Sequence, residues 1–71
     1  MEMIEIISLI AKIRKEKKIS QNEMADQLGI SFNQYNRYEN LKSIMNLKMF
    51  LEVLTILSID TRDFFTFNTN F

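Results

Sequence analysis

QNEMADQLGISFNQYNRYEN, residues 21–40, is the stretch that decides how this chain folds. Met24, Leu28, Ile30, Tyr35 and Tyr38 recur at spacings that put them on the inward sides of two short helices. Gly29, Ile30 and Ser31 stand between those helices, and Gly29 is the single glycine in a 71-residue chain without proline. Two helices crossing steeply over so short a link need a residue that tolerates positive φ where the first one stops. They also need a small residue where their backbones approach. Gly29, with Ala25 four residues earlier, answers both needs.

Working outward, the helix starts are legible. Ser20 followed by Glu23, and Ser31 followed by Gln34, have the spacing of capping boxes. Asn46 and Asp60 suit the N-cap position of two later helices. Each of these four residues has an apolar residue just before it and another four after it: Ile19 with Met24, Ile30 with Tyr35, Met45 with Phe50, Ile59 with Phe64. That is the spacing of a hydrophobic staple, repeated four times.

The pattern predicts an all-α, compact five-helix domain over residues 1–65, with helices at 2–17, 21–28, 32–39, 47–57 and 61–65. Ile6, Leu9, Ile10 and Ile13 form the expected core stripe of the first helix, which ends in a basic turn suited to the helix dipole. Phe50, Leu51, Leu54 and Leu57 are the inward set of the fourth. Residues 66–71 alternate phenylalanine with Thr and Asn, a period that suits a strand.

Composition narrows the chemistry. An apolar fraction of 46% is that of a globular protein rather than a disordered one. With no Cys and no His, the chain lacks thiolate ligands, disulfides, the usual zinc ligand and the usual general base. Catalysis would rest on scattered carboxylates and amines, and no enzyme activity, cofactor, metal or small-molecule ligand is expected. No apolar run is long enough to span a bilayer, and Glu2 and Glu5 interrupt the apolar start where a signal peptide would be basic. A cytoplasmic location is expected.

Net charge is zero, yet the charge is unevenly spread. Residues 12–42 carry seven bases (Lys12, Arg14, Lys15, Lys17, Lys18, Arg37, Lys42) against four acids (Glu16, Glu23, Asp26, Glu39), a local balance of +3. A polyanion senses the field within a Debye length of about 8–10 Å, not the whole-chain sum. The charge pattern permits nucleic-acid binding without demanding it.

Ile13-Arg14, Ser20-Gln21, Ala25, Gly29-Ile30-Ser31, Tyr38-Glu39-Asn40 and Leu57-Ser58-Ile59-Asp60 together resemble the Cro and phage-repressor (Xre-type) family of helix-turn-helix regulators. The resemblance covers some four-fifths of the chain and needs no gap between Arg14 and Asn40. It implies a lambda-repressor-like fold whose third helix enters the DNA major groove while the second lies across the backbone. Phe32, Asn33, Asn36 and Arg37, with Gln34 at the edge, would then face the bases. Arg can take guanine O6 and N7 together, Asn can pair with adenine, and Phe can touch a thymine methyl. Gln21, Asn40 and Lys42, and more loosely Lys17 and Lys18, are the phosphate candidates. The resemblance also pairs Arg14 with Glu39 in a structural ion pair.

Each role has a plainer rival. The amides can simply solvate a surface helix, the lysines a charged face, and Phe32 can pack on its own domain or a partner. Two positions depart from the family pattern. Leu41 stands where glycine is usual, so either Asn40 supplies a positive φ or the loop differs. Tyr35 stands where a branched aliphatic residue is usual, and its ring is expected to tilt the third helix or to send its hydroxyl to the surface.

Family members commonly bind palindromic operators as homodimers, and Ile59, Phe64, Phe65, Phe67 and Phe71 are the expected two-fold interface. The leading expectation is a transcriptional repressor or autoregulator. The alternative is a helical protein–protein interaction module, such as an antitoxin or regulatory partner, with weak or no DNA binding.

Overall fold

The computed structural model describes residues 2–60 and Arg62. Among them stand four helices: α1 (Met3–Glu16), α2 (Gln21–Leu28), α3 (Phe32–Glu39) and α4 (Leu47–Ile56). The five-helix expectation is therefore matched by four. The fifth, at 61–65, falls outside the described residues save for Arg62, whose backbone N–H donates to Asp60 Oδ1 at 2.9 Å as an N-cap arrangement requires. Residues 66–71 and their expected strand pattern also lie outside.

The starts follow the caps read from the sequence. Ser20 forms a reciprocal box, its Oγ accepting from Glu23 N–H at 3.0 Å while its own N–H donates to Glu23 Oε1 at 3.2 Å. Ser31 supplies the hydroxyl half, accepting from Gln34 N–H at 3.1 Å. Asn46 Oδ1 accepts from Met49 N–H at 2.8 Å. Ile19, Ile30 and Met45, each just ahead of its cap, are partly buried against the core.

The four helices end alike. After each, one residue turns left-handed and two backbone bonds close the last turn: Ile19 to Arg14 and Lys18 to Lys15, Ile30 to Ala25 and Gly29 to Asp26, Lys42 to Arg37 and Leu41 to Tyr38, Ile59 to Leu54 and Ser58 to Thr55. Only the second uses glycine, at φ 71°; Lys18, Leu41 and Ser58 sit at 60°, 61° and 57°. Left-handed backbone costs a residue with a Cβ about 1–2 kcal/mol. The glycine missing from the family pattern is thus replaced by Leu41 itself, with Asn40 at φ −94°. Asn40 supplies no positive φ.

Gly29 and Ala25 divide the two demands of the turn. A Cβ on Gly29 would meet nothing within 4 Å, so glycine is there for its φ alone. Ala25 is the buried small residue, only 2% exposed.

α2 packs on α3 and α4, and α1 packs on α3. The core is Ile7, Ile10, Met24, Ala25, Leu28, Tyr35, Val53, Leu54 and Leu57. Two inward faces are turned from their expected settings. In α1 it is Ile7 and Ile10 that are buried, while Ile6, Leu9 and Ile13 flank the core. Apolar residues at 4, 6, 7, 9, 10 and 13 admit more than one 3.6-residue register, and buried Arg14 selects the 7-10-14 row. In α4, Val53 is buried, Phe50 is half-buried and Leu51 is exposed. The inward row is 50-53-54-57, one residue round from the expected one.

Candidate nucleic-acid interface

α3 presents two rows to its outer side. Asn33 and Arg37, one turn apart, are exposed; Phe32, Asn36 and Asn40 form the neighbouring row at the edge facing α2. Gln34 and Asn36 are half-buried, and Phe32 is 44% exposed. Tyr35 and Tyr38 point inward, with Tyr35 wholly buried.

The helix is tethered at its C-terminal end. Arg14 Nε donates to Glu39 Oε2 at 2.7 Å and Arg14 Nη2 to Glu39 Oε1 at 3.1 Å, a bidentate pair whose side chains are almost fully buried. Arg14 Nη1 also donates to the Ile19 carbonyl at 2.7 Å, fixing the link between α1 and α2.

From Glu39 a relay of amides runs outward. Gln21 Nε2 donates to Glu39 Oε1 at 2.9 Å, Asn36 Nδ2 to Gln21 Oε1 at 2.9 Å, and Asn40 Nδ2 to Asn36 Oδ1 at 2.9 Å and to the Asn36 carbonyl at 3.0 Å. Its direction follows from chemistry. An ionised carboxylate only accepts, so Gln21 must turn its NH₂ inward and its oxygen toward Asn36, which must then do the same toward Asn40. Gln21 and Asn36 therefore have their carbonyl oxygens occupied and retain spare N–H donors.

Burial alone would raise the Glu39 pKa, but the hydrogen bonds from Arg14 and Gln21, with the Arg14 charge beside them, outweigh it and hold the carboxyl below its ordinary value. Arg14 is shifted up, chiefly by its bond to Glu39. Burial, and then the Glu39 carboxylate beside it, push the Tyr35 phenol well above its usual range. Of the two outcomes expected for Tyr35, its hydroxyl does not take the one that reaches the surface. It is buried without a hydrogen bond of good geometry.

Arg37 does not project freely. Its Nε donates to Ser43 Oγ at 3.0 Å and its Nη2 to the Lys42 carbonyl at 3.0 Å, so the guanidinium lies against the loop after α3. Nothing in residues 40–46 marks which loop hydroxyl meets a helix side chain, so the sequence alone does not point to Ser43. Lys17, Lys18 and Lys42 are exposed. Ile59 is half-buried on the core, and Phe64, Phe65, Phe67 and Phe71 lie outside the described residues.

Among the described residues, no group of His, Cys, Asp and Glu could hold a metal ion, and no helix is long and apolar enough to cross a membrane. What the geometry offers is a short polar helix, exposed along one side and braced on the other.

A family model for helix-turn-helix domains of the Cro/C1 type matches residues 10–64, spanning α1 from Ile10 through the end of α4 and beyond. The chain belongs to this helix-turn-helix family, whose members bind DNA. No curated protein and no solved structure matches the chain closely enough to refine that assignment.

Proposed function

We propose that this protein is a sequence-specific DNA-binding transcriptional regulator, a repressor or autoregulator, that reads the major groove with α3 as a homodimer on a palindromic operator. It acts in the cytoplasm, without enzyme activity, cofactor or small-molecule ligand. The observation that carries this reading is the exposed Asn33–Arg37 row on a helix whose far end is clamped by Arg14 and Glu39.

In this reading Asn33, exposed and without a side-chain hydrogen bond among the described residues, is free to make the two-point contact to adenine. Asn36 offers only a spare N–H, its oxygen being held by Asn40. Arg37 reaches guanine by trading its two loop bonds for O6 and N7. Phe32 touches a thymine methyl and Gln34 serves the edge of the reading surface. Gln21, at the start of α2, gives a spare N–H and the helix dipole to a phosphate, with Lys42, Asn40, Lys17 and Lys18 around it. Pairing Arg14 with Glu39 leaves the local surplus over residues 12–42 at +3, from six bases against three acids.

Selection from a random DNA pool, followed by gel-shift under a salt titration, tests the proposal. A DNA-reading domain enriches a palindrome and loses affinity steeply as salt rises. No enrichment, with binding no tighter than that of a charge-matched helical control, sinks it. The second reading, a protein–protein module, is favoured by the 44% exposure of Phe32 on the reading face, and that outcome would select it.

A further inference from the structure

The N-terminal turns of α1 and α4 enclose an apolar groove of about 200 Å³. Met3, Ile6 and Ile7 line it from α1, and Met45, Leu47 and Phe50 from α4 and the loop ahead of it. The one polar liner, Asn46, has its side-chain oxygen engaged in capping α4. Met3 and Leu47, one on each helix, are left open to water at 51% and 69% exposure. None of the liners belongs to α3, so the groove draws on no residue of the proposed reading surface.

We propose that residues 66–71 of the same chain dock here, with one phenyl ring of the Phe67–Phe71 edge filling the groove. Chemistry is the first argument. TFNTNF, residues 66–71, contains no charged side chain. In extended form it sets Phe67, Thr69 and Phe71 on one side and Thr66, Asn68 and Asn70 on the other. Such a segment turns an apolar edge to the domain and its amides to water. The thioethers of Met3 and Met45 suit an aromatic occupant, because sulfur is attracted to ring edges.

Size is the second argument. An apolar cavity of about 150 Å³ takes a benzene ring, so this groove accepts one phenyl ring with a little room to spare. It falls short of the roughly 300–1,000 Å³ of small-molecule pockets, which also carry orienting polar groups.

Reach is the third. The Ile59 N–H donates to the Leu54 carbonyl, so the chain passes Asp60 at the far end of α4, a helix about 15 Å long. Eleven residues lead from Asp60 to Phe71. They span up to about 36 Å when extended, and about 27 Å if residues 61–65 coil as the sequence predicts. Both exceed the length of α4, so the edge can return to the groove. A tether this short holds the edge at a local concentration on the order of millimolar, far above that of a second copy in micromolar solution. Phe67 and Phe71 are thereby turned onto their own domain instead of a two-fold partner. The inference needs neither DNA nor a dimer.

NMR of the methionine ε-methyl groups tests it, on the full chain at micromolar and at near-millimolar concentration, with wild type compared to the double variant Phe67→Ser, Phe71→Ser. In wild type a docked ring should displace the Met3 and Met45 methyl signals upfield at both concentrations. Those methyls should also show cross-relaxation to the ring protons of Phe67 or Phe71. Both effects should vanish in the variant; Phe50 is present in the two proteins, so the difference belongs to residues 66–71. Methyl signals that coincide in wild type and variant overturn the proposal. A displacement seen only at the higher concentration also overturns it and gives the groove to a second copy. If the double variant fails to fold, Leu47→Glu carries the test. Leu47 is exposed and opens α4, where an acid favours the helix, so that fold should persist. The Phe67 and Phe71 ring signals should then move toward those of an unstructured peptide, and unchanged ring signals would refute docking.

Discussion

Glu39 Oε1 accepts from Arg14 Nη2 at 3.1 Å and from Gln21 Nε2 at 2.9 Å, so one carboxylate binds α1, α2 and α3 together. Removing one partner strands the other charge in the interior. Arg14→Ala should therefore destabilise the domain by about 3–5 kcal/mol, a large part of the roughly 5–15 kcal/mol a whole domain commands. Replacing both, as Arg14→Met with Glu39→Met, should recover most of that loss, because matched apolar side chains need no compensation. Urea unfolding of the two variants beside wild type checks this; equal losses in both would refute it.

The same carboxylate sets an acid limit. Glu39 titrates below its ordinary value of 4.5 when folded. The stability it contributes is complete above that ordinary value and is lost as pH falls through the lower, folded one. Thermal midpoints should stay level from neutrality to about pH 5 and fall below it. In the Arg14→Met, Glu39→Met variant that fall should shrink; an identical acid limb in both proteins would remove Glu39 as its source.

Tyr35→Phe deletes a buried hydroxyl that makes no good hydrogen bond. The change should be neutral or stabilising by up to about 1 kcal/mol, since no partner is left unsatisfied. A clear loss of stability in urea would show that the hydroxyl is paired in solution.

Gly29→Ala meets open space and fails only on backbone conformation, so it should destabilise by about 1–2 kcal/mol without altering the structure. The converse change, Lys18→Gly, relieves the same strain at an exposed position and should stabilise by about 0.5–1 kcal/mol after the entropy of glycine is subtracted. Differential scanning calorimetry reads both, and shifts of the same sign would contradict the account of the helix ends.

On the proposed reading surface, Asn33→Ala should relax preference at one base position at a cost of about 1–3 kcal/mol. Ser43→Ala, which frees the Arg37 Nε, should leave binding unchanged or tighten it by about 0.5–1 kcal/mol. Base-by-base selection on the variants distinguishes them. Uniform weakening by Asn33→Ala would make it a backbone contact instead.

The sequence disclosed α2 and α3 to the residue because Ser20, Ser31 and Gly29 act locally, within one turn of the backbone they cap. The inward faces of α1 and α4 were less legible. Runs such as Met-Ile-Glu-Ile-Ile and Phe-Leu-Glu-Val-Leu are apolar on more than one side, and tertiary contacts choose between registers. The residues of the candidate interface were legible by type and position but not by engagement. That Asn36 answers to Gln21, fifteen residues away, and Arg37 to a loop serine, depends on how the elements meet in space. Leu41 departs from the family pattern, yet a leucine at positive φ is disfavoured enough that the sequence alone leaves either Asn40 or a different loop as the expectation.

The amide relay has an evolutionary corollary. Gln21 and Asn36 each serve the skeleton and the proposed target at once, so drift at either alters shape and preference together. Asn33 and Phe32 hang clear of that relay on the outer side of the same helix. A descendant acquiring a new operator would find its freedom there, rewriting the message without disturbing the frame.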